Sequence, residues 1–173
     1  MTNRVLTTIA LATLAVFAAG SAAAPRTTAA LERLKSLEGT WTGPAVWVKA
    51  GKKDGVEFTL AYKVTSGGTA VIETMMPGTP GEMVTVYHVE DGRLALVHYC
   101  TAGNQPRMTL ESSSDPDDLS FRCRGGTNMT ERDSHMHSAR IRIVDANHIK
   151  GAWSSVKAGR VEWTAEADLT RRP

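Results

Sequence analysis

Asp91-Gly92 separates two apolar runs, Met83–Glu90 and Arg93–Cys100, and constrains the fold more tightly than any other stretch of the chain. An Asp-Gly pair tolerates the positive φ values of a two-residue type I′ turn, so the two runs are predicted to form a β-hairpin. The turn also sets the register: Glu90 opposite Arg93, His88 opposite Ala95 and Thr85 opposite His98. One face then carries Val84, Val86, His88, Ala95, Val97 and Tyr99. The other carries Thr85, Tyr87, Val89, Leu94, Leu96, His98 and Cys100. Both faces are mostly apolar, unlike a strand pair with one side in water. Either a second layer covers one face, or that face lines a cavity.

The rest of the chain repeats this theme. Val56, Phe58, Leu60, Tyr62 and Val64 alternate with polar neighbours, as do Leu119, Phe121 and Cys123, then Ala139, Ile141 and Ile143. Val161, Trp163, Ala165, Ala167 and Leu169 alternate with Glu162, Thr164, Glu166 and Asp168. A period of two marks strands with one buried face. Thr69–Met76 and Arg107–Glu111 read as further strands. Turns are expected at Gly51–Gly55, Ser66–Gly68, Asp145–Asn147 and Lys157–Gly159, and Gly125–His135 reads as a long loop. Pro44 suggests an edge, bend or bulge in the first strand. Thr27–Leu37 has helical spacing with Thr28 as its cap. The expected fold is all-β: an antiparallel up-and-down barrel of about nine or ten strands with one short N-terminal helix, because closure removes the exposed edges.

The first residues read differently. Arg4, the apolar run Val5–Ala19 and the small residues Gly20–Ala24 have the layout of a secretory signal peptide. Pro25 disfavours a cut after Ala24, so cleavage is expected after Ala22 or Ala23. Residues 1–23 are therefore assigned to the signal and 24–173 to one barrel domain. The run is short for a membrane span of roughly 20 residues, and no cysteine follows it to carry a lipid. A periplasmic or secreted location is expected, with no stable membrane insertion once the signal is removed. The whole chain has a formal net charge of +2, which gives no electrostatic case for nucleic-acid binding. In an oxidising compartment the two cysteines, Cys100 and Cys123, are expected to form a disulfide.

Leu37-Glu-Gly39-Thr-Trp41-Thr-Gly43 follows the helix and opens the meander. This stretch resembles the start of calycin-type barrels: lipocalins, fatty-acid-binding proteins, avidins and the nitrobindin-like haem proteins. The resemblance implies that Gly39 and Trp41 place an indole across the closed end of a barrel. The second and third lipocalin signatures are absent. Haem is implied by the nitrobindin likeness alone; no C-terminal histidine matches, the last one being His148, so the cofactor is left open.

No G-x-S-x-G elbow, phosphate loop or paired-carboxylate signature is present. His98, Tyr99, Asn104, Gln105 and Arg107 gather at the end of the hairpin and offer varied donors and acceptors. They are assigned as ligand-binding residues at a barrel mouth, holding a small apolar or amphipathic ligand over an apolar interior. His88 reads as structural. His135, His137 and His148, with Met129 and Met136 nearby, suggest a metal, but no known metal-class spacing appears and no metal is assigned. Two alternatives stay open. One is a structural module that homodimerises through Val84, Val86, Val97 and Tyr99. The other is an enzyme using His98 with Tyr99, or a Cys100–His98 pair as nucleophile and base.

Overall fold

The computed structural model describes residues 23–111 and 115–173. Almost all of the expected signal peptide lies outside them. A helix, α1 (Ala23–Lys35), leads into ten strands: β1 (Gly39–Lys49), β2 (Lys52–Thr65), β3 (Ala70–Met75), β4 (Met83–Glu90), β5 (Arg93–Tyr99), β6 (Gln105–Leu110), β7 (Asp118–Thr127), β8 (His135–Asp145), β9 (His148–Lys157) and β10 (Arg160–Arg171). Each strand pairs antiparallel with its sequence neighbours, and β1 also pairs with β10, so the sheet closes into a barrel. The all-β up-and-down architecture expected from the alternation is therefore present. Among the described residues, no helix is long and apolar enough to cross a membrane.

The central hairpin has the register its turn demands. Glu90 faces Arg93, His88 faces Ala95 and Thr85 faces His98. Asp91 and Gly92 have φ values of 48° and 73°, the two left-handed residues of a type I′ turn. The Thr85/Tyr87/Leu94/Leu96/His98 face points inward and is buried.

The base of the barrel is sealed by α1. Leu31 and Leu34 bury themselves with Leu37 and Trp41 in the same core. Trp41 Nε1 donates to the Leu37 carbonyl at 2.7 Å, tying the end of the helix segment to the start of β1. Arg171, at the end of β10, places its guanidinium carbon 4.3 Å from the Trp41 ring centroid. Its nitrogens donate to the carbonyls of Glu38 (2.5 Å), Ser36 (2.8 Å) and Ala146 (3.1 Å).

Four local expectations change. The Gly51–Gly55 turn contracts to Ala50-Gly51, because Lys52 to Gly55 pair with β1 and the strand runs four residues longer. The loop expected over Gly125–His135 shortens, since β7 runs to Thr127 and β8 starts at His135. Pro44 causes no register shift; it sits where the β1–β10 ladder is interrupted between Thr42 and Ala45, so its missing N–H breaks no bond there. Val161 leaves the buried face and is 66% exposed, because a bulge between Val161 and Trp163 inserts Glu162 and reverses the alternation.

Candidate functional site

The inner wall of β2–β5 carries a polar row that its apolar surroundings do not explain. Tyr62 on β2 pairs with Glu73 on β3, Glu73 with Thr85 on β4, and Thr85 with His98 on β5. All four occupy inward positions of their strands and are buried, as is Tyr87 two residues beyond Thr85. Phe58, Leu60, Met75, Leu96, Met108 and Phe121 belong to the same buried core.

The hydrogen bonds cover part of this row. Tyr87 Oη donates to Glu73 Oε2 at 2.9 Å. Thr85 Oγ1 and His98 Nδ1 are 2.9 Å apart. Tyr62 is close enough to couple electrostatically with Glu73, but its hydroxyl makes no hydrogen bond of proper geometry. Tyr62 Oη, Glu73 Oε1 and His98 Nε2 are buried without a protein partner. Burial raises the pKa of Glu73, while the nearby hydroxyls of Tyr62, Tyr87 and Thr85 act in the opposite direction. Burial, then the charge of Glu73, push both tyrosines well above their ordinary value. Burial lowers His98 to about 4, so its imidazole is neutral at physiological pH.

The five residues assigned from sequence separate. His98 lies inside the wall. Asn104 is buried near the mouth, where Nδ2 donates to the Ser134 carbonyl at 2.7 Å and Oδ1 has no partner. Gln105 is half-buried and braces its own loop, with Nε2 donating to Gly103 O and Oε1 accepting from Thr127 Oγ1. Tyr99 is 50% exposed on the outer face. The Arg107 side chain is 59% exposed, and its nearest carboxylate is Glu90 at 3.9 Å. Tyr99 and Arg107 thus do not join the lumen. Adjacent strand residues point to opposite faces, so Tyr99 cannot share one with His98, and Arg107 pairs with the outward Val97. The same alternation separates the His98–Tyr99 pair that acid–base chemistry would need. Tyr62, Glu73, Thr85 and Tyr87 were not assigned from sequence.

The expected disulfide is not formed: Cys100 and Cys123 are both free. β6 lies between β5 and β7, which sets the two outer strands roughly 9–10 Å apart, beyond the ~7 Å Cα limit for a bridge. Nor do Cys100 and His98 form a couple. Cys100 Sγ accepts from Ala102 N at 3.5 Å, while His98 Nε2 is unpartnered. The histidine triad also divides. His135 and His137 adjoin each other near the mouth, whereas His148 sits at the base end on the outer wall, its Nε2 2.5 Å from Asp168 Oδ1. His148 therefore does not fit a haem ligand inside the barrel. His88 lies half-buried on the outer face.

The outer wall of the central hairpin carries the apolar side chains of the alternative dimer reading. Val84, Val86 and Val97 are half-buried on its outer face beside the exposed Tyr99, with Val84 opposite Tyr99 and Val86 opposite Val97. A groove of about 510 Å³ crosses β1, β8, β9 and β10 on the outside. Lys150 pairs there with Asp168, and Arg140 and Arg142 with Asp118.

No family model and no curated protein matches this chain. Among solved structures it is similar to a protein of unknown function from the DUF3598 family of Nostoc punctiforme, at 12% identity and a TM-score of 0.58, over 80% of this chain and 49% of that one. The chain thus spans about half the length of that neighbour. It is also similar to EF1p2_mFAP2b bound to DFHBI, at 14% identity and a TM-score of 0.40, over 83% of this chain and 98% of the other. The first likeness concerns the fold alone.

Proposed function

We propose that this chain is a small-molecule-binding barrel that holds a partly apolar ligand inside its wall. The observation that carries the reading is the set of unpartnered atoms in the polar row: Tyr62 Oη, Glu73 Oε1 and His98 Nε2. A buried polar atom without a partner costs about 1–3 kcal/mol, and native interiors rarely tolerate several together. A ligand whose polar group donates to Glu73 and exchanges hydrogen bonds with Tyr62 and His98 removes that cost, while the apolar side chains around them receive its body. Asn104 Oδ1 offers a further acceptor nearer the mouth. The layout of residues 4–24 supports a periplasmic or secreted site of action.

The test is native mass spectrometry of protein purified from its own host, followed by a dye-displacement screen of amphipathic amines, amides and phenols. A bound species that is weakened by Glu73→Gln and by His98→Phe but unaffected by Arg107→Ala is the expected result. A crystal structure with only ordered water on these three atoms, and no bound species in any preparation, overturns the proposal.

A further inference from the structure

We propose a second site, independent of the polar row: a transition-metal site formed by Cys123 Sγ, His135 Nε2 and His137 Nδ1 near the mouth of the barrel. The ligand atoms of the three residues all lie within 4.8 Å of one another. The two imidazole nitrogens are 3.4 Å apart. Two metal–nitrogen bonds of about 2.0–2.1 Å at a tetrahedral angle span roughly 3.3–3.4 Å, so the histidine pair already has a chelating separation.

The backbone accounts for the meeting. The β7–β8 ladder runs from Asp118↔Arg142 to Arg122↔Ser138, and one further step brings Cys123 opposite His137. Against β9, Met136 faces Ser155 and Ser138 faces Ser154, which leaves His137 as an extra residue. A bulge of this kind re-aims side chains. Two residues apart on one strand, the rings of His135 and His137 lie 5.6 Å apart between centroids.

Two supporting contacts favour ligation. His135 Nδ1 lies 2.8 Å from the Asp133 carbonyl. A carbonyl only accepts, so Nδ1 carries the hydrogen and Nε2 presents its lone pair to the site, the usual outer contact of a ligating histidine. Gly125 N donates to Cys123 Sγ at 3.5 Å, and the thiol donates to the Gly125 carbonyl at 3.4 Å, the contact that a metal–sulfur bond replaces. Loading the site displaces the thiol proton to solvent as the metal–sulfur bond forms. One thiolate and two imidazoles select a zinc-type borderline ion over magnesium or calcium. Three protein ligands leave one position open to water or a small anion.

The test is titration of the chelator-stripped, reduced full chain with zinc(II) against a chromophoric chelator, with cobalt(II) as the spectroscopic probe. One equivalent is expected, with visible tetrahedral cobalt bands and a near-ultraviolet thiolate charge-transfer band. Cys123→Ser abolishes the charge-transfer band. Cys123→Ser and His137→Ala each weaken binding by at least the roughly 10–100-fold lost with an outer contact, while Cys100→Ser and His148→Ala leave it unchanged. Melting of the metal-free variants checks that both remain folded. Absence of stoichiometric binding, or binding that survives Cys123→Ser combined with His137→Ala, overturns the proposal.

Discussion

Tyr87 Oη donates a 2.9 Å hydrogen bond to Glu73 Oε2, with both side chains inside the barrel wall and only 1% exposed. Tyr87→Phe removes the donor and leaves a second carboxyl oxygen without this partner, for an expected loss of roughly 1–3 kcal/mol. The folded pKa of Glu73 is raised above its ordinary 4.5. The folded state therefore holds the Glu73 proton to higher pH than the unfolded chain does, and its contribution to stability falls as pH rises from 4.5 through the folded value. Glu73→Gln cannot titrate, so its melting temperature should change less over that window. Thermal melts of wild type, Tyr87→Phe and Glu73→Gln across pH check both points. Parallel pH profiles for wild type and Glu73→Gln would remove the carboxyl from the account.

His98 works in the opposite sense. Its folded pKa is lowered from 6.5 to about 4 by burial. Above pH 6.5 both states are neutral and nothing is lost. Between 6.5 and 4 the unfolded chain takes up the proton and the folded chain does not, so stability falls as the solution is acidified. The full difference is roughly 3 kcal/mol. His98→Gln is expected to lower stability at pH 7, because the Thr85 contact is disturbed, yet to lose less between pH 6.5 and 4. Denaturant melts at pH 7, 5.5 and 4 compare the two slopes. An NMR titration midpoint near 6.5 for His98 would contradict the burial argument.

The strand plan was legible because local chemistry dictated it. Asp91-Gly92 specifies a hairpin with one register, and alternation specifies which side of each strand is buried. The site was less legible. Glu73 lies in phase with Val71 and Met75, and a carboxyl at an inward position was the available signal; the apolar residues on both faces of β3 hid it. Tyr62 shows the same periodicity as Phe58 and Leu60, so it read as wall. Tyr99 and Arg107 are close to His98 along the chain only, because alternation turns both to the outer face. The meeting of Cys123 with His137 depends on the β7–β8 register, and the polar stretch between the two strands carries no turn signal that specifies it.

Arg171 holds the base together through three carbonyls and the Trp41 face. Charged hydrogen bonds and a cation–π contact of this kind make Arg171→Ala cost roughly 2–4 kcal/mol. Lysine keeps the charge but cannot reach three acceptors from a planar fork. Arg171→Lys is therefore expected to recover less than half of the loss. Melting temperatures rank the three proteins. A lysine variant as stable as wild type would show that charge alone, and not the fork, secures the base.

Closure itself has a testable close approach. A Cβ added at Gly43 would lie 2.3 Å from the Asp168 carbonyl oxygen, where β10 crosses β1 between the Thr42↔Thr170 and Ala45↔Ala167 pairs. The obstruction is backbone, so it cannot be relieved by a side-chain rotation. Gly43→Ala must push the two strands apart at the seam, with an expected loss of roughly 3 kcal/mol or more. Gly55 lies on β2, opposite Val46 of the same hairpin, and a Cβ there meets nothing within 4 Å. Gly55→Ala should change stability by no more than about 0.5 kcal/mol. Denaturant midpoints at unchanged slope distinguish the two. If both variants unfold at the wild-type midpoint, the seam tolerates separation and tight contact at Gly43 is not what keeps the barrel closed.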